Sequence, residues 1–269
     1  MDRRTEDPSP KAADVVVLPS GSLPSSVCLR VTRACNARCG FCLAPPTGHG
    51  VTYTSIQRRL RWLAAAGVHK VHLCGGEPTI RRDLPDIIRD VRECGLVCAM
   101  TTNGILLSPE VLEQLRMVDA KVKVSVHGPK ALHESILRRN CYEQVDRNLA
   151  QLLDAGVTTG IQTVVTRRLP DVHNWMIDYC LQRGIRKLRL LPFVPRGRGL
   201  QAADLYQLSP EQHEHLETSV SEAREQLEGR LDVDILDFWT QDYYVLETDG
   251  QLQIQRETDT ADSTIAHVA

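Results

Sequence analysis

The chain has 269 residues, 42% hydrophobic and 25% charged, and its 32 Lys and Arg nearly balance 34 Asp and Glu for a net charge of −2. That length supports one core of roughly 200–250 residues, or at most two small ones, and the balance leaves no cationic excess for a phosphate backbone. No apolar run approaches the ~20 residues of a membrane span, and the N-terminus lacks the long apolar stretch and small-residue cleavage site of a secretory signal. The expectation is a cytoplasmic protein with no nucleic-acid or membrane partner. Nine cysteines without a signal peptide fit a reducing compartment, where clustered thiols mean metal or catalysis more often than disulfides.

Residues 1–22 are rich in Pro, Ser and charge, with one apolar patch at Val15–Leu18, and read as a flexible arm. From Val27 onward, β-branched and apolar runs predict strands at Val27–Thr32, Lys70–Cys74, Leu96–Thr102, Lys121–Val126, Thr159–Val165 and Lys187–Phe193. Between them, apolar residues recur at helical spacing: Ile56, Leu60, Leu63 and Ala64; Leu84, Ile87, Ile88 and Val91; Val111, Leu112 and Leu115; Leu149, Leu152 and Leu153; Trp175, Ile177 and Leu181. Glycines 67, 95, 156 and 184 mark the helix stops.

Such strand–helix alternation over about 190 residues predicts a parallel α/β fold, a partial (β/α)6 TIM-like barrel, since eight units normally need ~250 residues. Ligands then gather at the C-terminal ends of the strands. A further helix is predicted over Ser209–Leu227, capped by Ser209 with Pro in its first turn. A strand-like run at Leu231–Phe238 follows, and then a hairpin of Tyr243–Glu247 and Gln251–Gln255 turned at Asp249-Gly250, with the last dozen residues frayed. The organisation expected is an arm (1–22), a barrel core (23–230) and a C-terminal cap and tail (231–269).

After the first strand comes Cys35-Asn36-Ala37-Arg38-Cys39-Gly40-Phe41-Cys42. Three thiols at this spacing can converge on one small object. A single zinc usually wants four protein ligands, and His49 is the only nearby candidate for the fourth. Three thiolates suit a [4Fe–4S] cluster with one iron open to a non-protein ligand.

This stretch resembles the radical S-adenosylmethionine (SAM) superfamily, whose signature is C-x3-C-x2-C with an aromatic before the third cysteine, here Phe41. Gly75-Gly76-Glu77-Pro78 resembles the family segment that binds the amino group of SAM. Thr101-Thr102-Asn103-Gly104 and Ser125-Val126-His127-Gly128 lie where the family contacts the ribose and methionine. Leu188–Gly199 is similar to the adenine-side strand of the molybdopterin-precursor cyclase, viperin and peptide-modifying branches. The resemblance runs from about residue 27 to 228. It implies Cys35, Cys39 and Cys42 as cluster ligands, with Gly75, Gly76, Glu77, Thr101, Thr102, Asn103, Ser125, Thr163 and Leu191 around SAM. It also implies a low-potential electron donor such as flavodoxin or ferredoxin. The glycine pair would let the backbone approach the ligand closely.

Tyr243–Leu252 resembles the opening hairpin of the cysteine-rich extension found in the peptide-modifying branch, yet no cysteine follows Cys180, so one cluster is expected. Strand phase puts Lys121 and Lys123 on the face of Ser125, and His72 on the face of Cys74. A Lys and a His inside a barrel are costly unless they meet an anion, which makes His72, Lys123 and Arg189 substrate candidates and the small-molecule substrate polar, with a phosphate or carboxylate; the alternative is that the lysines snorkel to solvent. Cys74, with Cys141 behind it, is the candidate hydrogen-atom donor; the alternative is that both are ordinary interior thiols, as Cys28, Cys94, Cys98 and Cys180 are read. The function expected is hydrogen abstraction from a sugar, nucleoside or natural-product intermediate, including epimerisation. Modification of a ribosomal peptide and a non-catalytic iron–sulfur or zinc protein are the alternatives.

Overall fold

A computed structural model describes residues 23–46 and 50–268. The proposed arm and His49 lie outside the described residues. Seven strands run parallel in chain order: β1 (Ser26–Thr32), β2 (Lys70–Gly75), β3 (Val97–Thr102), β4 (Lys121–Ser125), β5 (Thr158–Val165), β6 (Lys187–Pro192) and β7 (Asp232–Ile235). The run at 231–238 therefore joins the sheet as another parallel strand, Leu188 facing Val233. On the far side of β1 comes β8 (Tyr243–Leu246), also parallel, followed by antiparallel β9 (Gln251–Gln255) and β10 (Ser263–His267). The sheet ends at β10 and β7, which do not pair, so the barrel stays open. The expected fraying of the last dozen residues is corrected by β10, which pairs with β9 while Val268 N–H donates to the Gly250 carbonyl at 2.7 Å.

Helices α1 (Tyr53–Ala65), α2 (Leu84–Glu93), α3 (Pro109–Met117), α4 (Lys130–Leu137), α5 (Tyr142–Asp154) and α6 (Val172–Gln182) cover the outside, followed by short α7 (Ala203–Tyr206) and long α8 (Pro210–Gln226). Thr52 and Ser108 cap α1 and α3 through their hydroxyls, and Ser209 makes a reciprocal capping box with Gln212. Glycines 67, 95, 156 and 184 all sit at positive φ just past helix ends, as their positions predict. α4 was not foreseen: it is short, and its buried His133, Ile136 and Leu137 make no long apolar stripe. The main core lies between the sheet and the helices, where Leu29, Ile56, Leu60, Leu73, Ile87 and Met100 are fully buried. Among the described residues, no helix is long and apolar enough to cross a membrane.

Candidate active site

The inner face of the sheet follows the two-residue period of its strands. Towards the C-terminal ends, Arg30, Cys74, Thr101, Ser125, Gln162 and Leu191 wall a cavity of about 200 Å3. Towards the N-terminal ends, the same strands line a second cavity of about 440 Å3 with Cys28, His72, Lys123 and Arg189. Gln162, Leu236 and Tyr243 belong to both walls.

Cys35, Cys39 and Cys42 reach the first cavity from the loop after β1. Several elements clamp that loop. Gly76 N–H donates to the Thr32 carbonyl at 2.8 Å and Glu77 N–H to that of Ala34 at 2.9 Å. The Asn103 amide donates to Asn36 Oδ1 at 2.7 Å, and Arg139 donates to the Asn36 carbonyl at 2.6 Å. From beyond β6, the Arg198 guanidinium donates to the Cys39 carbonyl and its backbone N–H to that of Cys42, both at 2.9 Å. Phe41 packs edge-on against His127 and Tyr206, with ring centroids 5.1 and 6.0 Å away.

Gly75 and Gly76 line the cofactor cavity and also meet the chain's own backbone. A Cβ on Gly75 would stand 2.2 Å from the Thr32 carbonyl oxygen, and one on Gly76 would stand 2.2 Å from that of Ala34. The close approach these glycines permit is to the chain's own backbone just before Cys35. They seat the cysteine loop on the end of β2.

Glu77 is 1% exposed, and its carboxylate accepts from Thr79 N–H, Thr79 Oγ1, Thr102 Oγ1 and Asn103 N–H at 2.6–3.1 Å. Burial pushes its carboxyl up, against the four hydrogen bonds that favour the charged form. Glu77 thereby ties the 101–104 segment to the β2 turn.

Three thiols in one loop do not sit easily as anions: burial and the neighbouring Cys42 and Cys35 push the Cys39 thiol up to about 12, and burial raises Cys35. A cationic iron cluster compensates such a set. The donor set fits a cluster.

Two proposed site residues are corrected. Thr163 alternates with cavity-lining Gln162 and Val164, so it faces outward; it is fully buried and donates to the Val126 carbonyl at 2.7 Å. Cys141 is the N-cap of α5 in the helix layer, buried outside both cavities, with its N–H on Glu134. Cys98 packs in the core as expected, its thiol pushed up to about 12 by burial. Arg196 is 2% exposed and locks the C-terminal segment, pairing with Asp262 and donating to the carbonyls of Arg256 and Thr258. Arg256 pairs with Asp242 at 2.6 Å.

His72, Lys123 and Arg189 come together, but in the wall of the second cavity. His72 Nε2 and Thr101 Oγ1 are 2.6 Å apart, linking the two layers. Burial, with Lys123 and Arg189 nearby, takes the imidazole down to about 3, so it is neutral. Arg189 is bound by Asp234, Lys187 by Asp232 at 3.4 Å, and Asp242 by Arg256. Among the described residues, Lys70, Lys121 and Lys123 make no ion pair within 4.0 Å. Lys121 is exposed at the start of β4, as the solvent-reaching alternative has it, whereas Lys70 and Lys123 are half-buried. Burial and the Arg189 charge bring the Lys123 ammonium down to about 8.

Sequence reasoning missed Arg30, Gln162 and Tyr243, and read Cys28 as plain interior. Strand phase could have found the first two. Tyr243 belongs to a hairpin whose sheet position depends on long-range pairing with β1.

Residues 29–177 match the family profile described as Radical SAM superfamily, and the chain belongs to that superfamily. It is 29% identical over 243 residues to the PqqA peptide cyclase of Bradyrhizobium diazoefficiens, an overlap of 83% of this chain and 60% of that protein. It is 30% identical over 228 residues to the GTP 3′,8-cyclase of Edwardsiella ictaluri, covering 80% and 68%. Among solved structures, SuiB of Streptococcus suis bound to S-adenosylmethionine aligns with a TM-score of 0.71 at 16% identity, over 86% of this chain and 58% of that one. Likeness at that identity establishes the partial-barrel fold alone. The chain spans about six-tenths of the length of the first curated relatives it matches, 60%, 64% and 59%. Membership of that superfamily makes it an enzyme whose cofactors are a [4Fe–4S] cluster and SAM.

Proposed function

We propose that Cys35, Cys39 and Cys42 hold the cluster and that the enzyme takes a hydrogen atom from a small anionic substrate, a phosphorylated or carboxylated sugar, nucleoside or natural-product intermediate. Held by Cys35, Cys39 and Cys42, a cluster would supply the one-electron reduction by which SAM is cleaved to methionine and a 5′-deoxyadenosyl radical. The chain's part is to orient and shelter. Gly75 to Glu77 and Asn103 hold the cysteine loop, Ser125 and Leu191 line the cofactor cavity, and Cys74 stands in the same wall facing the reaction. Lys70, Lys121 and Lys123 hold the anionic group of the substrate one layer deeper, with Gln162 between the layers. A low-potential flavodoxin- or ferredoxin-like donor provides the electron in a reducing cytoplasm.

The observation that carries this reading is the wall shared by a cysteine-bearing cavity and a cavity into which Lys123 brings a desolvated ammonium with no ion pair among the described residues, beside half-buried Lys70 and exposed Lys121. A desolvated, unpaired ammonium is costly, and an anion offsets that cost. Anaerobically reconstituted protein given dithionite and SAM should release 5′-deoxyadenosine; none, with an intact cluster, defeats the proposal. Calorimetric titration with inorganic pyrophosphate should show binding that Lys123→Met weakens at least tenfold. Equal affinity in both proteins removes the anionic substrate. A peptide substrate is the second reading, favoured by the match to a peptide cyclase over 83% of this chain; it predicts no pyrophosphate binding in the lysine cavity.

A further inference from the structure

Between the two cavities lies a group that the cluster loop and the lysines leave unused: Cys28 on β1, Cys74 on β2 and Tyr243 at the start of β8. Cys28 faces His72 and Arg30 faces Cys74 across the β1–β2 pair, so both thiols point to the interior, one repeat apart. Cys28 Sγ donates to the Tyr243 hydroxyl at 2.9 Å, and Cys74 is the next interior residue along the neighbouring strand, diagonally across from Cys28. Cys74 opens on the cofactor cavity, Cys28 on the lysine cavity and Tyr243 on both. The three groups therefore stand as neighbours on a path from one cavity to the other.

Their protonation favours hydrogen-atom chemistry. The neighbouring Cys28 and burial push the Cys74 thiol up, and burial pushes the Tyr243 phenol up, so both keep their hydrogens at neutral pH. The Cys28 thiol between them is drawn down by Cys74 against its burial, and its hydrogen is the one shared with the Tyr243 oxygen. A disulfide does not fit. Strands ~4.8 Å apart with an offset of ~6.6 Å put the two α-carbons ~8 Å apart, beyond the ~7 Å a disulfide spans.

We propose that Cys74, Cys28 and Tyr243 form a hydrogen-atom relay, resting on the reading that a carbon-centred radical arises in the cofactor cavity. Cys74 gives its thiol hydrogen to that radical, breaking S–H and making C–H. The Cys74 thiyl then takes hydrogen from Cys28, and the Cys28 thiyl takes it from the Tyr243 hydroxyl, leaving both thiols restored and a tyrosyl radical. One electron from a low-potential donor and one proton from solvent return Tyr243 to the phenol. Thiol S–H and phenolic O–H bonds are close in strength and weaker than most C–H bonds, so the first step runs downhill and the others nearly level.

The test needs no substrate. Cluster-loaded protein, reduced with one equivalent of dithionite in D2O, is mixed with SAM and freeze-quenched. Wild type should give 5′-deoxyadenosine carrying one deuterium from the exchanged thiol, together with a tyrosyl signal by electron paramagnetic resonance. Tyr243→Phe and Cys28→Ala should keep the label and lose the signal, and Cys74→Ala should lose both. Labelled product without a tyrosyl signal in wild type overturns the relay and leaves Cys74 as a simple donor. Unlabelled product overturns the role of Cys74, and no 5′-deoxyadenosine at all overturns the proposed function. In cluster-free protein, the Cys28 S–H stretching band, found by difference against Cys28→Ala, should shift in Tyr243→Phe; an unmoved band overturns the relay whatever the cofactors do.

Discussion

Replacing Gly76 by alanine separates a glycine that serves a ligand from one that serves the cysteine loop. Its backbone does not occupy the positive-φ region, so the cost is purely one of space. The added Cβ would lie 2.2 Å from the Ala34 carbonyl oxygen and 2.7 Å from that of Arg33, both backbone atoms that no rotamer change can clear. Relief requires the end of β2 and residues 33–34 to part by about 1 Å, and the Glu77 N–H to Ala34 hydrogen bond, now 2.9 Å, lies on the line of separation. Overpacking at ~1–3 kcal/mol and one weakened hydrogen bond at ~1 kcal/mol give roughly 2–4 kcal/mol, or roughly 5–15 °C in melting temperature. Ala34 immediately precedes Cys35, so the displacement reaches the first thiol at nearly full size. The assay is iron per chain after anaerobic reconstitution, beside the melt of the cluster-free protein. Gly95→Ala is the control: its φ of +75° imposes strain, but nothing lies within 4 Å of its new methyl and it is remote from the loop, so it should cost ~1–2 kcal/mol of stability and bind iron normally. If Gly76→Ala takes up full iron with an unmoved melt, the glycine pair does not seat the loop.

Glu247→Ala should destabilise the chain by about 3–5 kcal/mol in urea, because it leaves Arg30, 3% exposed and bonded at 2.7 Å, without its counter-ion and also frees Arg33; a change below 1 kcal/mol refutes that pairing. Lys123→Met acts through pH. With the folded ammonium brought down to about 8 from its ordinary 10.5, the unfolded chain binds more protons between those values, so stability should rise with pH across that window and the penalty is fully present below it. The methionine variant should therefore melt higher at pH 7 and show a flatter profile from pH 8 to 10, while pyrophosphate binding to wild type weakens above pH 8; parallel profiles contradict the buried ammonium. Thr163→Val should cost about 1 kcal/mol for its lost hydrogen bond and leave SAM affinity by equilibrium dialysis unchanged. A large loss of affinity would return Thr163 to the cofactor wall.

Local signals carried much of the architecture. Helix caps at Ser108 and Ser209, and glycines at helix ends, act within a few residues and can be read directly. Strand phase worked equally well along β2 and β4, where Lys70, His72 and Cys74, and Lys121, Lys123 and Ser125, do share a face. Depth was not legible. Phase says which side of a sheet a residue faces but not which end of the barrel it lines, so His72 and Lys123 emerged one layer below Cys74 and Ser125. Thr163 failed because it was placed by its strand rather than by its phase. Tyr243 and Glu247 were hidden for another reason: they act through β1, more than two hundred residues earlier in the chain, as the 215-residue separation from Cys28 and the 217-residue one from Arg30 show.

The layering also resolves an electrostatic conflict. SAM carries a positive sulfonium, and a basic interior would repel it, yet the barrel contains Lys70, Lys121, Lys123, Lys187 and Arg189. All five line the N-terminal half. Among the described residues of the cofactor-cavity wall, Arg30 and Glu77 are the only Arg, Lys, Asp or Glu. Arg30 is neutralised by Glu247, which the β8–β9 hairpin brings alongside β1. His127, in the same wall, is taken down to about 3 by burial and its neighbour His133, and so carries no charge at neutral pH. The hairpin is thus more than a cover: without its carboxylate, a guanidinium would stand unpaired in the wall facing a cation. Removing Glu247 should therefore weaken SAM binding as well as the fold, whereas Arg30→Met with Glu247→Gln, which deletes the pair together, should recover SAM affinity even where stability is only partly restored.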